Sequence, residues 1–114
     1  IADFDGDGRR EVATAGGSRY VVFDLDCVDG GDAANCGGRA ETNGILWAQG
    51  SQDQTSNVTG SSVFDFDHDG AAEVVYADEC FLRIYEGATG DIVYSAARSS
   101  ATAYENPVIA DTSA

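Results

Sequence analysis

The chain has 114 residues, enough for one hydrophobic core and at most one ordinary domain. Its formal net charge is −14, from 20 acidic residues against six arginines, and such a surface repels nucleic acid and anionic lipid, which are bound through basic patches. Apolar residues make up 43% of the chain, which suits a folded protein, yet no stretch approaches the roughly 20 apolar residues of a membrane-spanning helix.

The first segment, "IADFDGDGRREV", places aspartates at positions 3, 5 and 7, a glycine at 8 and a glutamate at 11. The segments "EVATAG", "RYVVFDLD" and "GILWAQG" follow, rich in β-branched and aromatic residues and without helical period, and they predict three strands. Between the second and third lies "CVDGGDAANCGGRAE" (27–41), a Gly-, Asp- and Ala-rich stretch that reads as an extended hairpin loop. Cys27 and Cys36 bracket it, and a disulfide between them would restrict its unfolded states. Such a bridge fits an extracellular, cell-surface or periplasmic location.

The opening motif then returns. "VFDFDHDGAAEV" repeats the aspartates at 65, 67 and 69 and the glutamate at 73, so Asp65 lies 62 positions after Asp3. Four strands are predicted in this second unit: "SSVFDFD", "AEVVYAD", "FLRIYEG" and "DIVYSAA", with the turn "GATGD" between the last two. A third "IAD" ends at Asp111, 46 positions after Asp65, but Thr112, Ser113 and Ala114 follow it and the second aspartate is missing, so no third ion is expected.

The shorter spacing is near the repeat length of propeller blades, roughly 40–50 residues, and the longer one is the same unit with the inserted loop. The expected fold is all-β: propeller blades of four antiparallel strands, as a fragment of a larger propeller. A sandwich also uses short strands at regular intervals, but the repeat argues against it. The expected division is a first repeat over 1–62, lacking most of its first strand and carrying the insertion at 27–41, a second over 63–108, and the start of a third over 109–114. Two such units cannot close a ring, so the remaining blades would come from a longer protein or from other copies.

Alternating carboxylates followed by glycine make a turn whose side chains converge on one point. Calcium takes 6–8 oxygen ligands in flexible geometry and suits such a loop, whereas magnesium demands a tight octahedron and zinc wants His and Cys. The first site is read as Asp3, Asp5, Asp7 and Glu11 with the backbone carbonyl of Arg9, and the second as Asp65, Asp67, Asp69 and Glu73 with that of Ala71. Two bound Ca²⁺ would take the formal charge from −14 to −10. The alternative is a pair of Asp/Gly-rich surface turns. His68, inside the second loop, is expected to face solvent, and Trp47 to pack between units. Cys80 is either a small buried hydrophobe or paired outside this segment, and "NVT" at Asn57 matches a glycosylation acceptor.

"DFDGDGRREV" and "DFDHDGAAEV" resemble the calcium loops of FG-GAP/VCBS-type repeats, the blades of integrin-α-like propellers. "FLRIYEGATGDIVYSA" is similar to the strand–turn–strand of those blades and of quinoprotein-like propellers. The resemblance implies that the loop joins the first two strands of a blade and that calcium rigidifies it. The expected function is a non-catalytic, calcium-binding scaffold of a secreted or cell-surface protein, used for adhesion or for binding an unidentified protein or carbohydrate. No Ser/His/Asp set, metal–His pair or phosphate loop can be built from the sequence; a carboxylate pair for glycoside chemistry stays open, although every well-placed acid already has a calcium role. The alternatives are a non-catalytic part of a propeller enzyme, such as a polysaccharide lyase or a quinoprotein-like enzyme, and a repeat of a surface fibre.

Overall fold

The computed structural model describes residues 1–16, 18–27, 44–53, 60–100 and 105–113. The insertion beyond Cys27, Cys36 within it, and Asn57 lie outside the described residues. The chain is all-β, with two antiparallel sheets and no helix among the described residues. The first sheet holds β1 (Val12–Gly16), β2 (Arg19–Phe23) and β3 (Ile45–Gly50) in the order β1-β2-β3. The second holds β4 (Ser61–Phe64), β5 (Glu73–Ala77), β6 (Phe81–Tyr85) and β7 (Ile92–Ala97) in sequence order. All seven sequence-predicted strands are present, and an isolated antiparallel bridge between Ala2 and Glu11 stands where the first unit's opening strand would end.

Alternation along each strand decides which face is buried. In β2, Tyr20 and Val22 are fully buried while the residues between them are not. Their neighbours across the ladder are Ala15 and Ala13 on one side and Gln49 and Trp47 on the other. This face of the first sheet packs onto Val74, Tyr76 and Tyr85 of the second sheet, and Phe4 and Leu46 complete one shared core. The small side chains of Ala13 and Ala15 leave room for the aromatics of the facing sheet. Tyr20 is the centre: its ring lies 5.0 Å from Tyr76, 5.8 Å from Trp47 and 6.1 Å from Tyr85, centroid to centroid. Offset aromatic contacts in this range add to what area burial alone supplies.

Buried aromatics with polar tips need partners. The Tyr20 hydroxyl lies 2.6 Å from Ser61 Oγ, and Tyr76 donates to Asp53 Oδ2 at 3.1 Å. Burial pushes the Tyr20 phenol up to about 12. Trp47 donates its indole N–H to the Gly87 carbonyl at 2.6 Å, which ties the first sheet to the β6–β7 turn. Trp47 is therefore packed between the two units, as its sequence context suggests. Gly87 has a steric reason: a Cβ there would stand 2.3 Å from the Ala72 carbonyl oxygen and 2.4 Å from that of Phe4, distances no side chain tolerates.

Candidate metal centres

Each acidic loop is built by its own carboxylates. In the first, Asp3 accepts the Gly6 amide through Oδ1 at 2.8 Å and the Gly8 amide through Oδ2 at 2.9 Å. Asp5 accepts the Asp7 amide at 3.2 Å, and Asp7 accepts that of Arg9 at 2.7 Å. Such local bonds explain why aspartate suits these turn positions. Glu11 reaches back across the loop to the Phe4 amide at 2.6 Å. The second loop repeats the scheme: Asp65 accepts the amides of Asp69 and Gly70, each at 3.2 Å, Asp67 accepts that of Asp69 at 3.2 Å, and Asp69 that of Ala71 at 2.8 Å. Glu73 accepts the Phe66 amide at 2.7 Å.

The backbone turns sharply where the sequence has glycine. Gly8 and Gly70 adopt φ of 89° and 96°, the left-handed region open to glycine at little cost. The fourth position of each loop does the same, with Gly6 at 76° and His68 at 62°. His68 is exposed, as expected, but its left-handed backbone was not read from the sequence; the signal was available in Gly6 at the equivalent place of the first loop.

The loops bring together both predicted carboxylate sets. Asp3, Asp5, Asp7 and Glu11 each offer an oxygen within 4.8 Å of the others, and so do Asp65, Asp67, Asp69 and Glu73. Either cluster could hold a metal ion. The aspartates are partly or fully exposed, while the closing glutamates are buried, at 1% and 4% exposure. Burial raises the Glu11 carboxyl to about 7, with Asp5, Asp3 and Asp7 adding to the rise against the lowering bond from Phe4. Glu73 is raised for the same first reason, burial, again against its backbone bond and with Asp67, Glu86 and Asp65 adding. The Oε1 atom of Glu73 is buried with no hydrogen-bond partner. A buried carboxylate oxygen in that state carries an uncompensated desolvation cost. A hard cation among all-oxygen donors would remove it, so the residues fit such an ion.

The two loops differ in surroundings. The Asp3 carbonyl accepts the Ala72 amide at 2.8 Å, and Phe4 is fully buried under the second sheet. Phe66, at the same place in the second loop, is 42% exposed. Arg9 pairs with Asp26 at 2.9 Å on the surface. Three further acids, Asp24, Asp53 and Asp78, are buried outside the clusters. Asp78 organises the β5–β6 turn, accepting the amides of Cys80 and Phe81 through Oδ1 at 2.9 and 2.8 Å. Its Oδ2 accepts the Gln52 amide at 2.9 Å and the Arg83 guanidinium at 2.7 Å. Cys80 is an exposed free thiol, which overturns its reading as a buried hydrophobe. Asp111, in the third "IAD", accepts the amide and hydroxyl of Ser113, each at 3.0 Å.

No family model and no curated protein matches the chain. Among solved structures it is similar to the V. cholerae biofilm matrix protein Bap1, with a TM-score of 0.63 and 24% identity over 84% of this chain. The match spans 13% of that protein's length, and at this identity the likeness is one of fold.

Proposed function

We propose that the chain is a non-catalytic, calcium-binding segment of a β-propeller, part of a secreted or cell-surface protein that serves as a scaffold for adhesion or for binding protein or carbohydrate. The observation that carries the reading is the pair of convergent carboxylate clusters, one with a buried glutamate oxygen that lacks a partner. Calcium is the choice among hard cations because the loops offer carboxylates and nearby backbone carbonyls in irregular geometry. The carbonyls of Arg9 and Ala71 would add one oxygen to each set. The extracellular placing is supported by the likeness to a biofilm matrix protein and by the acidic surface, and the Cys27–Cys36 bridge belongs to the same reading.

Bound calcium would fix the loop between the first two strands of each unit, and in the first unit that loop also contacts the second sheet. Asp67→Ala is the test. Calorimetry on the full chain should show one binding step lost and the other retained; equal weakening of both would contradict two separate sites.

The buried glutamates predict a pH dependence with a definite sign. The folded-state Glu11 carboxyl sits at about 7, above its ordinary value of 4.5, so the ion-free fold holds that proton more tightly than the unfolded chain does. From this group alone, ion-free stability is highest below about pH 4.5 and declines as pH rises to about 7. Calcium must displace the same proton. Its affinity for the first site should therefore fall by up to about tenfold per unit as pH drops below about 7. Titrations at pH 7.5 and 5.5 check this, and equal affinities would refute it.

A further inference from the structure

The two carboxylate clusters are joined through the backbone. The Phe4 amide donates to Oε2 of Glu11, the closing carboxylate of the first loop, at 2.6 Å. That N–H shares one rigid peptide plane with the Asp3 carbonyl. The Asp3 carbonyl in turn accepts the Ala72 amide at 2.8 Å. The Ala72 N–H shares its own plane with the Ala71 carbonyl, the backbone oxygen proposed above for the second site. Two peptide planes, linked by a hydrogen bond, therefore run from an acid of the first cluster to an oxygen of the second.

This crossing is sheltered and closely packed. Phe4, Glu11 and Ala71 are all buried. The first loop approaches the second so closely that a Cβ on Gly6 would lie 3.7 Å from the Ala71 amide nitrogen, ordinary contact distance. From another side Gly87 fits against the carbonyls of Phe4 and Ala72, where a side chain would not, and the Trp47 indole holds it there. Neither plane can tilt without moving its neighbour. In such water-poor surroundings, hydrogen bonds in series polarise one another.

We propose that the two sites are positively coupled through this relay, so that filling either loop strengthens binding at the other. The inference rests on the calcium reading of the loops. Closing the first loop on a cation fixes Glu11, and with it the Phe4 amide, the Asp3 carbonyl and the plane of Ala71 and Ala72. The Ala71 carbonyl is then already ordered when the second loop closes, and that closure costs less. Repulsion between the two ions has the opposite sign. It acts across partly or fully exposed aspartates and is screened by salt, whereas the relay is not. Coupling between sites is reciprocal, so each changes the other by one common factor, here about fivefold, the low end of the usual range.

The test is calorimetric titration of Ca²⁺ into the full chain at about 0.15 M and about 1 M salt. Asp7→Asn cripples the first site and Asp67→Asn the second, and neither residue belongs to the relay. The site left in each variant should bind about fivefold more weakly than the same site in wild type, by one factor in both, and the factor should persist in high salt. Ala72→Pro removes the N–H at the centre of the relay and should still bind two ions, with the coupling abolished. If that variant does not fold, amide hydrogen exchange on Asp7→Asn decides: an ion in the second loop alone should slow exchange at Phe4, whose amide bonds to Glu11 of the first. A remaining site that binds as tightly or more tightly when its neighbour is crippled, coupling that survives Ala72→Pro, or unaltered exchange at Phe4 would overturn the coupling and leave the calcium reading intact. Absence of any Ca²⁺ binding by wild type would instead sink the calcium reading, and this inference with it.

Discussion

Adding calcium to the metal-free chain raises its melting temperature, and chelation lowers it again. An ion that binds only the folded state stabilises by mass action, about 2.7 kcal/mol per site at a hundredfold excess over Kd. For a chain of this size 1 kcal/mol shifts melting by about 4 °C, so one filled site should give a rise of about 10 °C and two a rise of about 20 °C. Part of this is relief of existing strain in the charge distribution. Four carboxylates converge in each loop, and the buried glutamates are held neutral or at a cost until a cation arrives. Glu11→Gln separates the two contributions. It removes the buried charge, so the ion-free protein should melt higher than wild type near neutral pH, while the gain on adding calcium shrinks. A Glu11→Gln protein that melts lower without calcium and gains as much with it would contradict this account of the first loop.

Trp47→Ala should cost about 3–5 kcal/mol, the range for deleting a large buried aromatic. The indole packs 5.8 Å from Tyr20 and 5.7 Å from Tyr85, and its N–H satisfies the Gly87 carbonyl. Removing it leaves a cavity between the two sheets and an acceptor without its donor. Tyr94 is the informative control, because it occupies the equivalent position in the second sheet but is 53% exposed. Tyr94→Ala should change stability by less than about 0.5 kcal/mol. Chemical denaturation of both variants checks the pair; similar costs would mean that the core does not lie between the sheets.

The strands and the ligand loops were legible because their signals are local. Alternating aspartates, a glycine at the bend and a glutamate four residues after the last aspartate state the turn chemistry directly, and β-branched runs state the strands. Burial was not legible in the same way. Phe4 and Phe66 sit in near-identical motifs, yet one is fully buried and the other 42% exposed, since their environments are set by which sheet lies next to them. Asp78 reads as one more acid in an acidic chain, and only the turn geometry shows it gathering three amides and an arginine. The orphaned Glu73 oxygen likewise depends on how β5 is covered, which no spacing rule reports.

The most direct measurement is a calorimetric titration of Ca²⁺ into the metal-free full chain at neutral pH. Two ions per chain should bind, with one lost in Glu73→Ala and the other in Glu11→Ala. Absence of binding at millimolar calcium, or binding that survives both substitutions together, would contradict the assignment of these loops as metal sites.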